Sequence, residues 1–232
     1  VVAIVPAAGI GKRFGEDINK QFHMLSNKPV LVWALEVLEE VECIKEIIPV
    51  LKDEDMETGA ELIDEYRLDR IRRIAPGGKE RQDSVWNGLN LVEDKDCIVL
   101  IHDGVRPLIE KKLVEDVISA MSGCLLLQQE YAGVVPVTPV KDTIKEVDGE
   151  LIRATLQRDS LRAVQTPQVF PFQVLFAAYD RAMKEGYYAT DDAALVEHYG
   201  GKVKAVQGSY RNIKITTPED LTYAEFLLGR LL

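Results

Sequence analysis

The chain begins with an unbroken apolar run, VVAIVP at residues 1–6, which gives way at once to a loop of small residues. A short run of β-branched side chains ending in a turn is the pattern of a strand covered on both faces. Val30, Trp33, Ala34, Val37, Leu38 and Val41 then recur at steps of three and one, which predicts a helix with one buried stripe. KEIIPVLK at 45–52 predicts a second strand, although Pro49 removes a ladder donor, and a polar helix follows through Glu65. IRRIA at 71–75 predicts another short strand before the Pro-Gly-Gly turn, and Val85, Leu89 and Val92 mark the helix after it. The cycle returns with CIVLI at 97–101, the loop HDGVRP, and a helix carrying Leu113, Val114, Val117, Ile118 and Met121. Three strand, loop and helix cycles predict an α/β fold with a mostly parallel central sheet and helices on both faces, because parallel strands need crossovers and the crossovers cover the sheet.

From residue 132 the rhythm changes to two extended runs around Asp148-Gly149, a strong turn signal, which predicts an antiparallel hairpin. Such a hairpin projects as an arm at about 137–160, and because two strands alone are marginal in water it is expected to lean on a second copy of the chain. Phe172, Leu175, Phe176, Tyr179 and Met183 mark the next helix, and Thr190 is placed to cap the helix of DDAALVEHYG. KVKAVQG and NIKIT read as short strands, and Thr217-Pro218-Glu219-Asp220 starts a last helix with Leu221, Ala224, Leu228 and Leu231 on its apolar face. No repeat or long linker divides the chain, which predicts a single domain over residues 1–232 that includes the arm.

The 232 residues carry a formal net charge of −10. That balance speaks against duplex nucleic acid as a partner, and no apolar stretch approaches the roughly 20 residues that span a bilayer. Cys43, Cys97 and Cys124 lie far apart beside apolar residues, so buried thiols in a reducing compartment are expected. The opening VVAIVPAAG has no basic leader; together these features predict a cytoplasmic protein. Locally the charge reverses: residues 1–30 hold four cations against two acids, and residues 70–81 hold five against one.

The basic stretches coincide with loops. In PAAGIGKRFG at 6–15, Pro6, Ala7, Ala8, Gly9 and Gly11 let backbone approach a ligand, and Lys12, Arg13 and the nearby Lys20 suit phosphate oxygens. Neither GxxxxGK[ST] nor the full GxGxxG is present, which weakens the kinase and dehydrogenase readings. PGGKERQDS at 76–84 offers Gly77, Gly78 and Lys79, with Ser84 as an N-cap or as a contact to a nucleobase, ribose or phosphate. In HDGVRP, Asp103 suits a substrate hydroxyl or Mg²⁺ and Arg106 a phosphate, while His102 suits a local hydrogen bond. No zinc spacing and no coupled Ser-His-Asp pattern emerges. Lys141, Asp142, Thr143, Arg158, Thr166 and Lys214 add acceptors and cations. Taken singly, each of these positions equally suits a turn, a cap or solvated surface charge. Together they supply what a Mg²⁺-bound triphosphate and a phosphorylated acceptor require.

The series PAAGIGKRFG with NKQF, PGGKERQDSV, HDGVRP, PVKDTIK, RDSL followed by VQTPQVF, TDDAALVE and NIKITTPEDL resembles the 2-C-methyl-D-erythritol 4-phosphate cytidylyltransferases of the non-mevalonate isoprenoid pathway, and beyond them their ribitol 5-phosphate relatives. The resemblance covers nearly the whole chain. It implies a Rossmann-like nucleotidyltransferase that moves CMP from CTP to a small polyol phosphate by direct in-line attack, with Mg²⁺, and releases pyrophosphate. By resemblance, Arg13, Lys20 and Lys214 serve the reacting phosphates. The nucleotide is assigned Pro6, Ala7, Ala8, Gly9, Gly11, Lys12, Gly78, Lys79, Ser84 and Asp103. The acceptor is assigned Asp103, Arg106, Thr143, Arg158, Thr166 and Lys214. It also implies a homodimer in which the arm crosses to the other subunit and carries Thr143 and Arg158 there. Lys79 stands where the family often has Asp, so the carboxylate that would contact the base or ribose is replaced here by an ammonium. Gly104-Val105 stands where many members have two alanines, which keeps the ribitol acceptor as the alternative, with a noncatalytic CTP-binding regulator behind it.

Overall fold

A computed structural model describes residues 1–9 and 20–229. Strand β1 (Val2–Pro6) runs into the first loop, and a two-residue ribbon of β2 (Met24–Leu25) and β3 (Lys28–Pro29) precedes helix α1 (Val30–Glu39). The alternation continues through β4 (Glu46–Leu51), α2 (Met56–Glu65), β5 (Ala75–Pro76), α3 (Arg81–Leu91), β6 (Ile98–Ile101) and α4 (Lys111–Leu126). Then come β7 (Tyr131–Pro139), β8 (Lys145–Asp148), β9 (Leu151–Thr155), β10 (Arg162–Val164) and β11 (Gln168–Pro171). Helices α5 (Phe172–Glu185) and α6 (Asp192–His198), strand β12 (Lys202–Gln207) and helix α7 (Pro218–Leu228) close the described chain.

The main sheet has the order β10-β7-β11-β6-β1-β4-β5, with β12 on the far side of β7. Strands β6, β1, β4 and β5 are mutually parallel, β11 is antiparallel to β6 and β7, and β12 returns parallel to β7. The two-residue period of each strand divides the core. Ala3, Val5, Ile47, Leu51, Leu100, Val134 and Val169 face one layer, with Leu31 and Leu38 of α1 and Val114, Val117 and Met121 of α4. Val2, Ile4, Ile48, Val50, Val99, Ile101, Val135 and Phe170 face the other, with Val85 and Leu89 of α3, Leu175 and Tyr179 of α5, and Leu195 of α6. Helices therefore cover both faces, as the sequence pattern predicts. Pro49 is tolerated because the Ile47 N–H bonds the Arg70 carbonyl (3.0 Å), so the ring nitrogen two residues on points to that same outer side, between the Ile71 bridge and β5.

Several local expectations are corrected. The strand predicted at 71–75 contracts to Ala75–Pro76, with Ile71 making a single bridge to Ile47. NIKIT forms no strand: the segment lies against the 102–107 loop, where the Ile215 N–H meets the Val105 carbonyl (2.8 Å) and the buried Asn212 amide donates to the Thr166 carbonyl (2.7 Å). The cap of α6 is Asp191, whose carboxylate accepts from Ala194 N–H (2.8 Å), because its side chain rather than that of Thr190 reaches back over the first turn. Of the three thiols, all free, Cys124 is buried, Cys97 half-buried and Cys43 exposed. Leu231 lies outside the described residues.

The antiparallel hairpin around Asp148-Gly149 forms, but over Lys145–Thr155; residues 137–139 of the expected arm belong to β7, where they pair with β10 in the main sheet. Strands β8 and β9 pair antiparallel with each other and make a separate two-stranded sheet, on which Val147, Leu151 and Ile152 are each at least 59% exposed. The last helix begins as its sequence dictates: Thr217 and Asp220 form a reciprocal capping box around Pro218, and Ala224, Leu227 and Leu228 bury against Leu25, Val30 and Ile215.

Helix α3 sits close enough to β1 that a Cβ on Gly88 would stand 2.6 Å from Ile4 Cγ2 and 3.4 Å from Val50 Cγ2. A β-branched Ile cannot swing that methyl aside without disturbing β1. Gly88→Ala is therefore expected to lower unfolding free energy by about 1–2 kcal/mol, overpacking outweighing a helix-propensity gain of about 1 kcal/mol. Denaturant titration showing an unchanged or raised midpoint would refute this packing account.

Candidate active site

Parallel strands deliver their carboxyl ends, and hence their loops, to one side of the sheet. The loops after β1, β5 and β6, a short turn at Lys20–Phe22 and the segment 212–216 enclose a cavity of about 510 Å³ there. Pro6, Ala7, Ala8, Gly9, Lys20, Gly78, Lys79, Ser84, Asp103 and Lys214, all singled out from the sequence, line it. Gln21, Lys52, Glu80, Arg81 and Val105 join them. Five of the lining side chains are cationic and two acidic, on a chain whose net charge is −10, so the cleft has the sign a polyphosphate requires.

The first two loops touch. A Cβ on Gly77 would fall 2.4 Å from the Cβ of Ala8, and the Gly77 N–H bonds the Leu51 carbonyl (2.6 Å), so the glycine is what lets the second loop close on the first. Ser84 is not the cap of α3. Glu80 is, through a reciprocal box with Asp83, and Ser84 Oγ instead accepts from the Gly78 N–H (3.0 Å) and donates to the Glu80 carbonyl (3.2 Å). The bend is thus fixed internally, with Lys79 at its exposed tip.

Asp103 organises the cleft. Its side chain is 8% exposed; Oδ1 accepts from Arg81 Nε (3.0 Å), and Oδ2 from Lys214 Nζ (2.9 Å) and Arg106 Nε (3.5 Å). Burial alone would raise its pKa, but Arg81, Lys214 and Arg106 outweigh burial and hold the carboxyl well below the usual carboxylate range. An ionised carboxylate has about four lone-pair positions across its two oxygens. One on Oδ1 is not used by these three donors, so the group fits Mg²⁺ of the kind that keeps several waters and is held mainly by substrate phosphates.

Arg106 and Thr166 stand one step behind the wall. Arg106 Nη1 donates to the Asn212 carbonyl (2.8 Å), joining the Asp103 loop to the segment that carries Lys214. Thr166 is buried, and its hydroxyl is engaged within the protein, accepting from the Asp103 N–H (3.1 Å) and lying 3.0 Å from His102 Nδ1. His102 Nε2 faces the Arg106 carbonyl (3.2 Å), an acceptor, so Nε2 bears the proton, Nδ1 accepts, and Thr166 donates to it. Burial pushes the His102 pKa down to about 4, in keeping with a neutral ring.

Thr143 and Arg158 are not brought to this cleft within one chain. Both are exposed on the arm, Arg158 donating to the Lys141 carbonyl (3.0 Å). Gly11, Lys12 and Arg13 lie outside the described residues. Sequence reasoning missed Arg81 and Asp192, joined through Arg81 Nη2 to Asp192 Oδ2 (2.8 Å) across 111 positions, a pairing for which no local spacing gives a signal.

A sequence model of the 2-C-methyl-D-erythritol 4-phosphate cytidylyltransferase family, IspD, matches residues 1–230. Enzymes of that name from Geobacillus thermodenitrificans and Caldanaerobacter subterraneus are 43% and 44% identical to the chain, the first covering 98% of it and 96% of the relative, the second 99% of each. The crystal structure of a 4-diphosphocytidyl-2C-methyl-D-erythritol synthase from Anaerococcus prevotii superposes with a TM-score of 0.83 at 32% identity, covering 98% of this chain and 95% of that one.

The buried imidazole gives the fold a measurable acid sensitivity. Unfolded, the ring takes up a proton near pH 6.5, and folded only near pH 4, so stability present above pH 6.5 is lost as pH falls toward 4, by about 3 kcal/mol in full. A His102→Gln protein is expected to show a shallower fall in unfolding free energy across that window, read by urea titration at several pH values. An unchanged slope would show that another group is responsible.

Proposed function

The chain belongs to the 2-C-methyl-D-erythritol 4-phosphate cytidylyltransferase family, and from that premise we propose how its cleft performs the reaction. The enzyme transfers CMP from CTP to the phosphate of 2-C-methyl-D-erythritol 4-phosphate and releases pyrophosphate. An oxygen of the acceptor phosphate attacks the α-phosphorus of CTP, forming the new P–O bond. The bond from that phosphorus to the β-phosphate bridging oxygen breaks, and pyrophosphate leaves with the electron pair, giving 4-diphosphocytidyl-2-C-methyl-D-erythritol.

The observation that carries this reading is the cationic cleft built around Asp103 at the strand ends. The small residues Ala7, Ala8 and Gly9 admit the triphosphate close to backbone, and Lys20 and Lys214 meet the charge that grows on the reacting phosphates. Lys214 is directed by its bond to Asp103, so its ammonium is already oriented before substrates arrive. Gly78 and Ser84 shape the wall that receives the cytidine. Asp103 would hold Mg²⁺ together with triphosphate oxygens, and the ion, when bound, supplies neutralisation of phosphate charge.

We assign Thr143 and Arg158 to the acceptor site of a second subunit. The support is that neither lines the cleft of its own chain and both are exposed, together with an arm whose apolar side chains are left uncovered by its own chain. No described helix is long and apolar enough to cross a membrane. Three free thiols favour a reducing, cytoplasmic setting.

Incubation with CTP, Mg²⁺ and either methylerythritol phosphate or ribitol 5-phosphate, followed by pyrophosphate measurement and product mass, tests the reaction. Pyrophosphate and the cytidine diphosphate product are expected with methylerythritol phosphate; a ribitol product alone, or CTP binding without turnover, would overturn the assignment. Lys20→Ala is expected to keep its far-UV spectrum and lose about 100-fold in kcat, and full turnover at saturating substrates would remove Lys20 from the mechanism. Arg158→Ala is expected to raise the acceptor KM about 10-fold at unchanged CTP KM, and deletion of 144–156 to give a monomer in analytical ultracentrifugation. A fully active monomer would end the shared-site account.

A further inference from the structure

Arg81 lies inside the PGGKERQDS motif with no role assigned to it so far, yet it holds the centre of the cleft. Its Nε donates to Asp103 Oδ1 (3.0 Å) and its Nη2 to Asp192 Oδ2 (2.8 Å), so two N–H groups of one planar guanidinium fix the separation of two buried carboxylates. Asp192 does not line the cavity; its side chain is fully buried, and Oδ1 accepts from the Tyr179 hydroxyl. The first turn of α6 is pinned in turn: Gln168 of β11 accepts from the Ala193 N–H (2.9 Å) and donates to Asp191 (2.8 Å).

We propose that Arg81 is a positioning residue for Asp103 and thereby for Lys214, and that Asp192 and Tyr179 hold its guanidinium from behind the cleft. A continuous polar path then runs from the sheet through α6 and Arg81 to the ammonium at the reacting phosphates. Arg81 faces two carboxylates at hydrogen-bond distance, so its charge is committed to them more than to a phosphate in the cleft. Simple stabilisation accounts poorly for the arrangement, since a buried ion pair often contributes no more than apolar residues of similar volume. A planar fork with two fixed directions, which Lys cannot reproduce, is what orientation of Asp103 requires.

The proposal rests on the transfer reaction assigned above, and steady-state kinetics can separate the two. Asp192→Asn keeps the size of the side chain but removes the negative charge that holds the Arg81 guanidinium, leaving a neutral carbonyl toward Nη2 and reversing the bond to the Tyr179 hydroxyl. Because the residue is outside the cavity, kcat is expected to fall at least 10-fold while the CTP KM stays within about two-fold. Arg81→Lys is expected to lower kcat similarly, and the double variant to be no worse than the poorer single variant, as for residues acting in one path. Rates are taken per folded molecule, with thermal unfolding in parallel. If Asp192→Asn does not fold, Tyr179→Phe, which removes the hydroxyl alone, is expected to lose about three- to ten-fold in kcat at unchanged CTP KM. Folded variants within two-fold of wild-type kcat, or losses that multiply in the double variant, would overturn the positioning role. A wild-type protein that makes no pyrophosphate from CTP and methylerythritol phosphate would instead overturn the reaction beneath it.

Discussion

The cleft depends on keeping one carboxylate ionised while it is almost out of water. Removing a carboxylate from solvent costs several kcal/mol even after relaxation, and the protein offsets this at Asp103 with three cations from three segments. Arg81 comes from the start of α3, Arg106 from the loop of Asp103 itself, and Lys214 from a segment more than a hundred residues later. Each segment is therefore held where that charge needs it. The cations also have further obligations: Arg81 is shared with Asp192, and Arg106 ties down the Asn212 carbonyl. Charge balance and loop geometry at this site are the same constraint.

The sheet turns that constraint into a location. Since β1 and β6 are adjacent and parallel, the loops after Pro6 and Ile101 emerge side by side, and the backbone bonds from His102 to Ile4 (3.0 Å) and from Gly104 to Pro6 (3.1 Å) extend the ladder into the Asp103 loop. The neutral His102 then works as a spacer with fixed polarity. Its protonated nitrogen and its bare nitrogen are each matched by a partner of the right kind, and Thr166 passes that order on to the Asp103 amide. A polar residue buried among strand ends is accommodated here because each of its hydrogen-bonding positions is filled.

How much of this was legible in the sequence follows from how local each feature is. The runs at 1–6 and 97–101 and the helical stripes of α4 and α5 stand out because burial on a sheet or on one helix face leaves a short-range period. The loops at 7–9, 77–84 and 103–106 stand out through small residues beside cations. Local spacing could not distinguish Thr190 from Asp191 as a cap, since both side chains suit the position and backbone direction decides. It misread NIKIT, whose alternation is satisfied by the core on one side and by the 102–107 loop on the other, with no neighbouring strand. Thr166 carries a hydroxyl that suits a ligand, and nothing nearby in the chain announces that His102 engages it. The Arg81–Asp192 pair was out of reach because its partners, 111 residues apart, meet only once α3 and α6 have packed onto the same sheet.

The rims of the main sheet carry a separate consequence. At one end β5 is two residues long; Pro76 has no N–H to offer, and its carbonyl is taken by Asn87 (2.9 Å). At the other end, where β10 and β12 both flank β7, β12 bears Lys202 and Lys204, the first paired with Glu130. Short length and proline on one rim and lysines on the other are the means by which natural sheets resist adding a foreign strand. Along β5 and β12 the buried, β-branched sheet thus meets solvent through segments poorly suited to templating a growing aggregate.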